Sequence, residues 1–189
     1  VVKGTSLFPA TAALAWAVLA YICIDFGFLS KIIAISPGSE QVWRAGAEVG
    51  LATTFVIFLF AYLNLNRWHG HFSYGVFAWM LGVAAIAGVA VYDPEIAAGF
   101  ARISLAATTI VGLGLITFLS FRGYDRAIML IPSWLMVLVW LGGSWMAVTG
   151  MLNNDIVQPA LGGGLILIVL LIGFTVMQHA LAGGGAGRR

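Results

Sequence analysis

Long apolar stretches separated by short polar breaks set the pattern of this chain. The apolar runs repeatedly reach the roughly 20 residues that an α-helix needs to cross a hydrocarbon core about 30 Å thick. The pattern predicts helices at about Ser6 to Phe28, Gln41 to Leu65, Phe72 to Tyr92, Glu95 to Phe121, Ala127 to Met151 and Gln158 to Ala182. None of these runs alternates polar and apolar residues as barrel strands would, so helices are implied. The breaks have local causes. "SPGSE" joins a proline to a glycine turn, "NRWHGH" sets polar groups around Gly70, and "YDPE" starts a helix with Pro94 in its first turn. Connections this short make consecutive helices antiparallel neighbours, and the expected fold is an all-α integral membrane protein, an up-and-down bundle of about six transmembrane helices over 1–182. The closing residues 183–189, glycine-rich and basic, read as a flexible exit segment.

Composition sharpens the class. Of 189 residues, 61% are hydrophobic and 8% charged, and the mean hydropathy is +1.02, whereas soluble domains carry about 25% charged residues. The lipid bilayer is therefore the first partner. A net charge of +2 points to no nucleic-acid partner. The first apolar run lacks the basic n-region and small-residue cleavage site of a secretory leader and reads as a retained span. One cysteine, Cys23, excludes an intrachain disulfide and a cysteine-built metal site.

Basic residues near the span ends orient the bundle. Lys3, Arg67, Arg122, Arg126, Arg188 and Arg189 fall at one set of ends, against Lys31, Arg44 and Arg102 at the other. The richer set marks the cytoplasmic face, which puts both ends of the chain in the cytoplasm. Arg67, Arg122 and Arg126 are the expected cytoplasmic anchors. Trp43, Tyr62, Trp68, Tyr74, Tyr92 and Tyr124 lie near predicted ends and read as interfacial rings. Trp134 and Trp145, eleven residues apart, share a helical face from which Trp140 is turned away. Gly46 and Gly50, Gly112 and Gly114, and Gly162 to Gly164 suggest close helix packing, and the GxxxG spacing leaves a homodimer open.

Asp25, Arg44, Glu48 and Arg102 are the candidate functional residues, because a charge inside or at the edge of a span must be paired or hydrated. All four fall toward the outer ends of the first, second and fourth spans. Arg44 and Glu48, four apart, can pair along one helix, which leaves Asp25 and Arg102 to pair with each other or to close a small polar site. Salt bridges that hold helices in register and a ligand or signal site are both open readings.

Other chemistry finds little footing. His69 and His71 are two apart in a loop with no third ligand, so no metal is expected; His179 reads as interfacial. The only lysines, Lys3 and Lys31, leave no late-helix Schiff base. Leu81 to Val91 and Leu165 to Leu171 are uncharged, so no central proton path is visible. Neither a cofactor nor an enzymatic activity is expected within this chain.

The run "FRGYDRAIMLIPSWLMVLVWLGGSWMAVTGMLNNDIVQPALGGGLILIVLLIGFTVMQHAL" resembles the last two spans of bacterial seven-transmembrane receptors with diverse intracellular signalling modules. In that family a glycine and an alanine flank basic residues before the penultimate helix, here Gly123 and Ala127 around Arg122 and Arg126. "FLFAYLNLNRW" is similar to the end of the family's third span, and "FTVMQHALAGG" to the membrane exit of alphaproteobacterial members that continue into PAS and EAL-type cyclic di-GMP modules. The resemblance implies a sensory transmembrane domain that relays a periplasmic or membrane signal to a cytoplasmic output module in the same polypeptide. The family has seven spans with its N-terminus outside; six with the N-terminus inside fit a first span upstream of Val1. The alternative is a structural or accessory subunit of a larger membrane complex. A transporter with a helix broken at Pro132 lacks a matching inverted half.

Overall fold

The computed structural model describes residues 7–32, 39–65, 70–152 and 154–185. The helices are α1 (Leu7–Asp25), α2 (Phe28–Ile32), α3 (Glu40–Leu63), α4 (Gly70–Val89), α5 (Pro94–Phe121), α6 (Asp125–Val148) and α7 (Val157–Gly185). No strand occurs among the described residues. All but the single-turn α2 are long and apolar enough to cross a membrane, so this is an all-helical, multi-pass membrane protein. The Lys3, Arg67, Trp68, His69, Arg188 and Arg189 expectations lie outside the described residues.

The helix ends show why the sequence breaks where it does. α1 stops at Asp25, short of Phe28, because Gly27 takes a left-handed φ of 68° that redirects the chain into α2. α5 begins after Asp93, whose Oδ1 accepts the Ile96 N–H at 3.1 Å, and Pro94 occupies the first position, where no N–H is required. Its other end closes on Gly123, at φ 74°. There the Gly123 N–H donates to the Ser120 carbonyl at 2.9 Å and the Tyr124 N–H to the Leu119 carbonyl at 3.1 Å. That pair of bonds is the glycine-terminated Schellman closure, and α6 starts at once from it. α4 and α6 end at Val89 and Val148, each three residues earlier than the apolar pattern suggests. α7 runs on to Gly185, three residues into the segment expected to be flexible; glycine lowers helix propensity but leaves the backbone hydrogen bonds available.

The chain packs as two units, Val1–Thr108 and Thr109–Arg189, with the boundary inside α5. In the first, α3 is the central helix, packed by α1 and by α4. α1 contributes a stripe of Leu7, Ala10, Leu14 and Val18 at three- and four-residue spacing. The buried part of α3 is broader and includes Val49, Ala52, Phe55, Leu59 and Tyr62. Small side chains make the close approach among α3, α4 and α5: Ala45 meets Ala90 and Ala97, and Val49 meets Val83 and Ala101. The glycines do not. A Cβ at Gly46, Gly50, Gly114 or Gly163 would meet nothing within 4 Å, so alanine faces replace the expected GxxxG contact.

In the second unit α6 packs on α7. Pro132 lies inside α6 without interrupting it, which removes the broken helix that a transporter reading needs. Trp134 is fully buried and donates its indole N–H to the Thr109 carbonyl at 2.8 Å. Trp145, on the same nominal face, is exposed; eleven residues are about 16 Å of helix, far enough for the neighbouring wall to end. Trp140 donates to the Leu161 carbonyl of α7 at 2.9 Å, and its Cδ1 would lie 3.1 Å from a Cβ on Gly164. Close glycine packing is thus realised at Gly164.

Exposed apolar side chains such as Val139 and Leu170 face outward, where lipid tails are as apolar as the side chains themselves. Threonines inside the spans return their hydroxyls to their own helices: Thr53 to the Val49 carbonyl at 2.7 Å, Thr108 to Ser104 at 2.8 Å, and Thr175 to Leu171 at 2.8 Å. Their polarity is absorbed within one turn.

Candidate functional site

The four charged residues singled out from the sequence come together in the first unit. Asp25 is the last residue of α1, Arg44 and Glu48 sit in the opening turns of α3, and Arg102 lies eight residues into α5. Because Glu48 and Arg102 are each eight residues from a helix start, a rise of 1.5 Å per residue sets both about 12 Å inside their helices.

The expected Arg44–Glu48 pair along α3 forms, but the Asp25–Arg102 pair does not. Arg102 does not reach for Asp25; it grips Glu48 with two parallel bonds, Nε to Oε2 and Nη2 to Oε1, each 2.8 Å. Arg44 forms ion pairs with Asp25, Nη2 to Oδ1 at 2.7 Å, and with Glu48, Nε to Oε1 at 3.9 Å. The reason is geometric. A guanidinium offers a planar fork that matches a carboxylate across two helices, whereas the four-residue spacing along α3 lets Arg44 and Glu48 meet only edgewise. The outcome is a linear chain Asp25, Arg44, Glu48, Arg102 that ties α1 to α3 and α3 to α5, with formal charges that cancel.

Burial is uneven along that chain. The carboxylates are the protected members, with side-chain exposures of 10% for Asp25 and 8% for Glu48. The guanidiniums are half-exposed, 50% for Arg44 and 48% for Arg102. Each acid is thus sheltered within the fold while the base that pairs with it stays half-exposed. Tyr21, one turn before Asp25 on α1, joins the group, close enough to feel the charges of Asp25, Glu48 and Arg44. The i, i+4 relation of Tyr21 to Asp25 was the sequence signal for it, masked by tyrosine's usual role as an interfacial ring.

Beside the charged chain opens a cleft of about 230 Å³ among α1, α2 and α3. Asp25, Leu29, Glu40, Gln41, Trp43 and Arg44 line it. Trp43 is exposed there, as its place near a span end suggests. Tyr62 is not: it is fully buried, its ring 5.6 Å from that of Phe58 one turn earlier, because it continues the inward stripe of α3.

Of the expected anchors, Arg122 and Arg126 border the α5 to α6 turn. The Arg122 guanidinium lies 4.8 Å from the centre of the Phe118 ring, a cation–π contact along α5. Arg126 lies near His179 of α7. No group of three or more potential metal ligands occurs among the described residues. No family model matches the chain, and neither a curated protein nor a solved structure matches it.

Proposed function

We propose that the chain is the sensory transmembrane domain of a bacterial inner-membrane receptor, with both of its ends cytoplasmic, passing an outer signal through α7 to a cytoplasmic output module of the cyclic di-GMP kind. The observation that carries this reading is the charged chain from Asp25 to Arg102. It joins three helices at the end that the charge count assigns to the outside, and it lies beside a cleft. Purely structural cross-links need no adjoining cleft and no half-exposed bases.

A mechanical route onward consists of contacts already described. α5 carries both Arg102 and Thr109; the Thr109 carbonyl holds Trp134 of α6, and Trp140 of α6 holds Leu161 of α7. An outer event that shifts α5 is passed on toward α7 through two indole bonds, one buried and one half-buried, provided the elements have two discrete arrangements. The seven-span receptor resemblance of the closing run supports the same direction of signalling.

The test is to express the full-length encoded protein carrying Glu48→Gln or Arg102→Ala and to measure cellular cyclic di-GMP alongside membrane insertion. Changed output at normal insertion is expected. Unchanged output in both variants, with the chain recovered instead in a fixed-stoichiometry membrane complex, would replace the receptor by the accessory-subunit reading.

A further inference from the structure

The cleft beside α1, α2 and α3 is lined by a carboxylate with no ion-pair partner among the described residues. Of its three charged lining residues, Asp25 and Arg44 neutralise each other at 2.7 Å. Glu40, at the start of α3, has no ion-pair partner among the described residues. Trp43 lines the same cleft with an exposed indole, and Gln41 adds an amide. A free carboxylate next to an aromatic surface in a small recess is the chemistry that holds an ammonium group, by charge and by cation–π attraction together. The volume, about 230 Å³, is below the roughly 300 to 1,000 Å³ of sites for drug-sized ligands, so the ligand is small.

We propose that this cleft binds a small ammonium-bearing ligand, held by the Glu40 carboxylate and the Trp43 indole. Binding has a defined effect on the charged chain. A cation in the cleft repels the half-exposed Arg44 guanidinium, and the ligand's own N–H groups compete for Asp25. Arg44 has a second acceptor waiting, Glu48 at 3.9 Å. Occupancy therefore moves Arg44 from the α1 carboxylate towards the α3 carboxylate and weakens the link between those helices. This step builds on the sensory reading and gives it a ligand class.

A dissolved amine and the ethanolamine headgroup of an outer-leaflet lipid offer the same chemistry. The full chain is reconstituted in nanodiscs of phosphatidylglycerol alone and in discs that also contain phosphatidylethanolamine, and its unfolding midpoint is followed as free ethanolamine is added. A saturable rise in both disc types identifies a solute site. A rise caused by the lipid itself, with loss of the response to free ethanolamine, identifies a headgroup site. In either case Glu40→Gln and Trp43→Leu weaken the response by about tenfold or more, and Trp43→Tyr keeps most of it. Both side chains lie at the rim of the fold, so the variants report binding and not collapse. Absence of a saturable rise in either disc type, an equal rise with sodium acetate, or a rise that Glu40→Gln and Trp43→Leu leave intact would overturn the site. Because binding is read on the domain and signalling on cyclic di-GMP, a filled cleft with unchanged output would count against the receptor role and leave the site standing.

Discussion

Arg102→Ala is the most informative single perturbation, because it strands a carboxylate. Glu48 is 8% exposed and accepts two 2.8 Å bonds from Arg102. Breaking a fully buried pair by deleting one partner costs about 3 to 5 kcal/mol. Two features of the site lower that figure: Arg102 is half-exposed, so part of the field is already screened, and Arg44 at 3.9 Å can turn towards the orphaned acid. The expected loss is about 2 to 3 kcal/mol. Removing both partners leaves no stranded charge, so Glu48→Ala combined with Arg102→Ala should cost less than the sum of the single changes, with a coupling of about 2 kcal/mol. The assay is reversible unfolding in detergent or bicelles across the four proteins of the cycle, with a parallel cycle on Asp25 and Arg102, which do not touch. Coupling below about 0.5 kcal/mol for Glu48 and Arg102, or equal coupling in both cycles, would refute the paired geometry.

Three further outcomes can be checked. Gly164→Leu drives a side chain into the Trp140 indole, already 3.1 Å from the position of a Cβ; a loss of about 1 to 3 kcal/mol is expected in thermal unfolding, and no loss would mean that α6 and α7 separate easily. Trp134→Phe keeps an aromatic ring but gives up the bond to the Thr109 carbonyl and leaves a void where the fused ring stood; a cost of about 1 kcal/mol or more is expected, since the site is fully buried, and a neutral result would deny that bond any weight. With Cys23 replaced by alanine, single cysteines at Tyr124 and Asn154 should be labelled by an impermeant reagent from the cytoplasmic and the periplasmic side respectively, and the reverse pattern would invert the orientation.

Much of this architecture is written in the spacing of apolar residues, and the helix starts most clearly. Asp93 and Pro94 announce α5 because cap and first-turn chemistry are local, fixed within four residues. Helix ends are less legible: Phe26, Phe28, Val91 and Tyr92 are as apolar as the spans they follow, and only a backbone turn at Gly27 or the cap at Asp93 shows that the helix has stopped. The four charged residues stand out because so few charges exist in the spans. Their partners do not, since the choice between Arg44 and Arg102 for Glu48 depends on where α5 lies against α3, which no sequence separation encodes. The same holds for tryptophan: Trp134 and Trp145 share an angle on the helix wheel but not a neighbour. Gly46 and Gly50 show the converse error, in which a familiar spacing is present while Ala45 and Val49, each one residue before a glycine of the pair, make the contact.

The run Gly162 to Gly164 gives the contact between α6 and α7 an unusually close seat. Three successive residues without side chains cover about 200° of a helix circumference while advancing only about 3 Å along the axis. The Trp140 indole rests at one edge of that arc, over Gly164, with its N–H hooked to the Leu161 carbonyl. Turning α7 about its own axis carries the side chains one turn away toward the ring in either sense, Ala160 and Leu167 on one side and Leu161 and Ile168 on the other. The contact thus works as a socket: the indole is seated where no side chain fits, and it resists both separation of the two helices and rotation of α7.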